Sequence, residues 1–75
     1  MQIRVKLMGV LKAKEPQGNR LDLPDGSTVG EVLKMLDIPD QKVHTFSVNG
    51  SFDRDRQRKL ESEDELMVLA PVGGG

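Results

Sequence analysis

Cysteine, tryptophan and tyrosine are absent from this 75-residue chain, which holds two phenylalanines and one histidine. Without cysteine there is no disulfide framework, no thiolate metal site and no catalytic thiol, and a cytoplasmic setting is the expectation. An excess of one charge is missing too: eleven Lys and Arg stand against twelve Asp and Glu, a formal net charge of -1. That balance argues against a dedicated nucleic-acid binder, which needs a basic footprint. The longest apolar run, Leu66 to Val72, is far too short to span a bilayer, and the first residues lack the apolar stretch of a signal peptide. The expectation is a soluble chain, unprocessed at its start, that engages no nucleic acid and no membrane. The length excludes a two-domain enzyme. Leu, Ile, Val and Phe nevertheless make up 21 of the 75 residues, above the level at which disorder is the default, so the chain should fold.

What is present is periodic. From Met1 to Val10, Ile3, Val5 and Leu7 alternate with Gln2, Arg4 and Lys6, the period of a half-buried strand. Lys12 to Asn19 is polar, carries Pro16 and Gly18, and reads as a loop. Leu21 and Leu23 share one face of a second strand, Arg20 to Leu23, closed by Pro24-Asp25-Gly26. Val29, Val32, Leu33 and Leu36 then recur at the spacing of one helix face. Thr28 is placed to cap that helix and Glu31 to complete a capping box. Gly30 in the first turn costs about 1 kcal/mol relative to Ala, and Pro39 sets the end near Asp37. Phe46 and Val48 mark a third strand. Asn49-Gly50 suits a tight turn into a return strand around Ser51 to Asp53. The mixed charges from Asp53 to Lys59 read as a surface run before Leu60 rejoins the core, and Glu65 to Ala70 reads as a last strand stopped by Pro71. The predicted architecture is α+β: a mixed four- to five-stranded sheet with one main helix on one face.

Several segments together resemble a known family: Met1-Gln2-Ile3-Arg4-Val5-Lys6, Leu23-Pro24-Asp25-Gly26-Ser27-Thr28-Val29, Val48-Asn49-Gly50, and Leu69-Ala70-Pro71-Val72-Gly73-Gly74-Gly75. They look like the prokaryotic MoaD/ThiS sulfur carriers, ubiquitin-like β-grasp proteins, and the resemblance spans the whole chain. It implies a β-grasp domain over 1–70 and a flexible tail over 71–75. It further implies that Gly75 is adenylated and then converted to a thiocarboxylate, and that the sulfur feeds molybdopterin or thiamine thiazole synthesis. The implied partners are an adenylating enzyme, a sulfur donor such as a cysteine desulfurase or rhodanese-type protein, and the large subunit of a sulfur-accepting synthase. The free protein is expected to be a monomer and not itself an enzyme. In Ser62-Glu63-Asp64-Glu65 the family commonly has glycine where Glu63 stands, which leaves the turn type there open.

The tail can also be read from its chemistry. A chain-terminal carboxylate, with a pKa of roughly 3.3 to 3.7, is an anion and a poor electrophile at neutral pH, so it must be activated from outside. Gly73 and Gly74 let backbone press against the floor of a narrow partner site, and Pro71 stiffens the exit. Extended, Pro71 to Gly75 reaches on the order of 17 Å, enough to thread Pro71, Val72, Gly73 and Gly74 into another protein. Taken alone, a terminal run of glycines reads as a linker; joined to Pro71-Val72 and a β-grasp body, it reads as the reactive end. No Gly-x-x-x-x-Gly-Lys-Ser/Thr loop exists, so ATP should be bound and used by the activating partner, and the expectation is that this chain holds no cofactor. His44 has no nucleophile paired with it and reads as a loop or strand-edge residue. Glu61, Glu63, Asp64 and Glu65 do not match a calcium loop and read as a solvated turn, with no metal site. On the last strand, Leu66, Val68 and Ala70 should face the helix, while Met67 and Leu69, joined by Met8, leave an apolar patch for partner docking on the other face. Two alternatives stand beside the carrier. One is a ubiquitin-like modifier joined through Gly75 to a lysine of a target; the other is a β-grasp binding module that needs no free terminus.

Overall fold

The computed structural model describes residues 1–71. Five strands, β1 (Gln2–Leu7), β2 (Arg20–Asp22), β3 (Thr45–Val48), β4 (Ser51–Asp53) and β5 (Glu65–Leu69), form one sheet in the order β2-β1-β5-β3-β4. The first and last strands run parallel at its centre, Val5 opposite Leu66 and Leu7 opposite Val68, and every other pairing is antiparallel. One helix, α1 (Val29–Met35), lies on one face. This is the β-grasp architecture, with five strands in the sheet.

The strand periods decide which face is buried. Ile3, Val5 and Leu7 of β1, Phe46 and Val48 of β3, and Leu66 and Val68 of β5 all point toward the helix and are almost wholly excluded from solvent. Val29, Val32 and Leu33 meet them from α1. The rest of the core comes from residues outside α1 and the five strands: Leu11, Ile38, Val43 and Leu60 are all buried. Leu21 and Leu36, expected in the core, are only partly buried and pack against its edge.

A seven-residue helix is too short to hold itself in water; its first turn is satisfied by its cap and by a neighbouring segment. Glu31 N–H donates to Thr28 Oγ1 (3.3 Å) and Thr28 N–H donates to Glu31 Oε1 (2.9 Å), the capping box that the sequence suggests. Val29 and Gly30 donate to the carbonyls of Arg58 and Arg56 at 2.9 and 2.8 Å, so the first-turn donors lie against the charged run. A Cβ on Gly30 would stand 3.1 Å from the Arg56 carbonyl oxygen. Gly30 is therefore there for close approach, not by tolerance. The helix stops at Leu36, with Asp37 in the left-handed region (φ 58°), two residues before Pro39.

Three sequence expectations need correction. The first strand ends at Leu7, not Val10, because Gly9 turns the chain at φ 62°. The stretch beyond it is not a featureless loop: Gly9–Lys14 and Gln17–Asn19 are 3₁₀ segments, and the first of them inserts Leu11 into the core. The helix expected over Val29 to Asp37 is shorter, Val29–Met35. Among the described residues no helix is long and apolar enough to cross a membrane.

Candidate docking face and tail root

The candidate site is built on β5, the central strand of the sheet. Because β5 alternates, burying Leu66 and Val68 under the helix turns Met67 and Leu69 to the opposite face, where both are half-buried. Lys6 of β1 and Ser47 of β3 stand on either side of Met67, and Thr45 stands beside Leu69. Met8 continues β1 on the same face, tied by its N–H to the Val68 carbonyl at 3.0 Å, and is 43% exposed. The three expected docking residues thus share one surface.

A fourth apolar residue belongs with them and escapes the sequence reading. Phe52 pairs with Ser47, which itself pairs with Met67, so one row across the sheet runs Lys6, Met67, Ser47, Phe52. Phe52 is 62% exposed, while the small Ser47 between two large neighbours is buried. The signal was available. A two-residue Asn49-Gly50 turn forces Val48 opposite Ser51 and Ser47 opposite Phe52, and with Phe46 and Val48 turned inward, Ser47 and Phe52 must turn outward. Asn49 and Gly50 carry the positive φ values such a turn needs, 53° and 85°. Asn49 also binds the far end of β5, donating through Nδ2 to Asp64 Oδ1 (2.8 Å) and accepting the Glu65 N–H at Oδ1 (2.9 Å).

The edge of the patch beyond Met8 is fixed by an acid. Glu15 accepts the Leu7 N–H at Oε2 (2.9 Å), a backbone donor that the end of β1 would otherwise leave unpaired. That hydrogen bond, helped by Asn19 and by Lys12 and Lys6, holds the Glu15 carboxyl below its ordinary value of 4.5. Lys6, Met8, Lys12, Glu15 and Met67 surround a shallow pocket of about 390 Å³.

Pro71, where the candidate tail begins, is exposed at the other end of β5. With Asp40, Val43, His44, Arg54 and Arg56 it lines an open hollow. His44 is an exposed residue just before β3, as its lone position suggested, and its N–H binds the Leu69 carbonyl at 2.8 Å. Arg56 pairs with Asp40 (3.2 Å) and lies over the Phe46 ring, 5.7 Å from its centre. The chain after Asp53 is folded by its carboxylates: Asp53 Oδ1 accepts the N–H groups of Asp55 (3.0 Å) and Arg54 (2.7 Å), which hold its carboxyl below the ordinary 3.8. The root of the tail is therefore flanked by cations on a pinned loop. Val72, Gly73, Gly74 and Gly75 lie outside the described residues.

No curated protein matches the chain significantly. Among solved structures it resembles SAMP1 from Haloferax volcanii, at 22% identity with a TM-score of 0.74, each chain covered in full. A second H. volcanii structure, of small archaeal modifier protein 1, matches at 21% identity and a TM-score of 0.72, over 95% of this chain and 98% of that one. A Pyrococcus furiosus protein provisionally described as molybdopterin converting factor, subunit 1, matches at 18% identity and 0.72, over 96% and 99%. At such identities these likenesses establish the fold. The model of the ThiS family matches residues 5–75, from the middle of β1 through the glycine run, and with that match laid over a five-stranded β-grasp sheet, this chain belongs to the ThiS family.

Proposed function

We propose that the chain is a sulfur carrier whose Gly75 carboxylate is adenylated by a partner and converted to a thiocarboxylate. The observation that carries this reading is the family match running through Pro71 and Val72 to Gly75, on a chain with no cysteine and hence no other atom on which to carry sulfur. In the first step a Gly75 carboxylate oxygen attacks the α-phosphorus of ATP held by the adenylating enzyme, and pyrophosphate leaves. A persulfide sulfur from a cysteine desulfurase or rhodanese-type donor then displaces AMP. A thiol cleaves the resulting acyl disulfide and supplies the two electrons, leaving the thiocarboxylate. This chain's contribution is presentation. Glycine without Cβ passes a narrow channel, and the outward patch of Met67, Leu69, Met8 and Phe52 seats the partner beside the threaded tail. The consuming enzyme is the large subunit of a synthase making molybdopterin or the thiamine thiazole, in the cytoplasm.

The likeness to small archaeal modifier protein 1 favours a second reading, in which the same activated glycine is transferred to a lysine of a target protein. The two differ in the nucleophile that meets the adenylate. One experiment tests both. The full chain is incubated with the adenylating enzyme of its own organism, ATP and a sulfur donor, and weighed intact. A mass gain equal to one oxygen replaced by sulfur, absent when Gly75 is deleted, supports the carrier; isopeptide-linked larger species support the modifier. Sulfur on the Gly75-deleted chain refutes the carrier, and isopeptide-linked species formed by that chain refute the modifier. In the same assay Met67→Glu or Phe52→Glu should slow adenylation at least about tenfold, by placing a charge in the interface, without unfolding the body.

A further inference from the structure

A second surface lies on the helix side of the molecule and uses none of the patch residues. Between the 3₁₀ segment Gly9–Lys14, the end of α1 and the segment after it is an open groove of about 630 Å³, well within the range of ligand-binding clefts, roughly 300–1,000 Å³. Its floor is apolar: Leu11 and Ile38 are buried, Pro39 is exposed at one side, and Val10 stands 76% exposed at its mouth. Its rim is cationic, with Lys14, Lys34 and Lys42 contributed by three separate elements. Asp37 is the one carboxylate on the lining, and Lys14 already holds it, donating to its carbonyl at 2.8 Å with its Oδ2 at 3.6 Å. Lys34 and Lys42 enter no ion pair among the described residues. In a chain of net charge -1, this is a local excess of positive charge around an apolar floor.

We propose that this groove docks an acidic segment of a partner protein, a bulky aliphatic side chain seated on Leu11, Ile38 and Val10 with flanking carboxylates on Lys34 and Lys42. Charge complementarity selects the acid, and the concave floor selects a protruding aliphatic side chain over a flat anionic membrane surface. A second copy of this chain does not offer the motif: its acidic stretch Glu61 to Glu65 leads into Leu66, which is fully buried, and its Asp64 is engaged by Asn49 and by the Glu61 N–H. No aromatic ring lines the groove to stack a nucleobase. A partner seated here leaves Met67, Phe52 and Pro71 free, so the carrier can be held by one protein while its tail is used by another. The proposal is independent of the chemistry assigned to Gly75.

The test is an amide-resolved NMR titration of the full chain, isotopically labelled, with a panel of hexapeptides that each place Ile, Leu or Val between Asp and Glu, such as Asp-Glu-Ile-Leu-Asp-Glu. Expected are shifts confined to Val10 to Lys14 and Lys34 to Lys42, with Phe52 and Met67 unmoved. The double variant Lys34→Glu/Lys42→Glu should bind about tenfold more weakly, and the charge-reversed peptide Lys-Arg-Ile-Leu-Arg-Lys should prefer that variant to the parent. Val10→Ser should weaken binding without altering the salt dependence. If no peptide moves the groove amides at millimolar concentration, or the charge-reversed peptide binds the parent equally well, or the shifts fall on the Met67 face, the proposal is wrong. Broadening of the groove amides by phosphatidylglycerol vesicles, with no response to peptides, would assign the groove to a membrane surface instead and overturn it as well.

Discussion

The two hairpins of this sheet are made by opposite means. Between β3 and β4 the chain reverses in two residues, Asn49 and Gly50, whose backbone angles are the turn. Between β1 and β2 it wanders from Met8 to Asn19 through two 3₁₀ segments, and no local residue pair dictates the reversal. The longer connection is fixed by tertiary bonds: Leu11 inserted in the core, Glu15 on the Leu7 N–H, and Asn19 Nδ2 donated to the Val5 carbonyl at 3.0 Å. One hairpin carries its instruction in a dipeptide. The other takes its shape from the body it packs on, and becomes a wall of both the Met8 pocket and the lysine-rimmed groove.

The most severe break of this comparison is Leu11→Ala. If the long connection is a structural lid, the substitution should cost about 2–5 kcal/mol, as for a buried leucine; a passive loop would lose a few tenths, and urea unfolding of the two proteins decides between them. Next comes Gly50→Ala, which forces an L side chain to φ 85° and should cost about 1–2 kcal/mol, read by the same method. Replacement of the whole Met8 to Asn19 stretch by a two-residue Asn-Gly turn should fail to restore the parent stability, since it deletes Leu11 along with the loop.

A subtler test is pH. Each hairpin carries one carboxyl held below its ordinary value, Glu15 in the long connection and Asp53 at the end of β4. A carboxyl with a lowered folded pKa contributes stability above its unfolded value, and that contribution disappears as the pH falls through the folded one. For Glu15 the contribution is complete above about pH 4.5 and fades below it. The difference in melting temperature between the parent and Glu15→Gln should therefore be smaller at pH 3 than at pH 6; a constant offset would mean that the Leu7 hydrogen bond does not depend on the charge. The smallest expected effect is a gain. Glu63 sits at φ 69°, so Glu63→Gly should relieve left-handed strain and stabilise by about 0.5–1 kcal/mol, despite losing a long, exposed pairing with Arg20 at 3.9 Å. The turn before β5 has the glycine-type backbone although its residue is glutamate.

What was legible in the sequence follows the same division. The alternation in β1 and β5, the Thr28 and Glu31 capping box, and Asn49-Gly50 are local signals, and each forms as the residues suggest. Leu11, Ile38 and Val43 were not legible as core, because none belongs to a run with a strand or helix period: Ile38 and Val43 stand alone between polar residues or proline, and of the adjacent Val10 and Leu11 only the fold decides that Leu11 is buried and Val10 exposed. For the candidate site, Met67, Leu69 and Met8 fall on one face as the period of two requires. Phe52 was missed because its strand of three residues is too short to show a period, and only the register transmitted through the turn places it.

The parallel pairing of β1 with β5 has a mechanical consequence. A protein that draws the segment after Pro71 into its interior pulls along the axis of β5, which is hydrogen-bonded to β1 on one side and to β3 on the other. Force in that direction loads both ladders in shear, so their bonds share the load and must yield together rather than peel one after another. The strand that leads to Pro71 is thus the one least able to be unzipped by a tug on that end, because both of its ladders resist together.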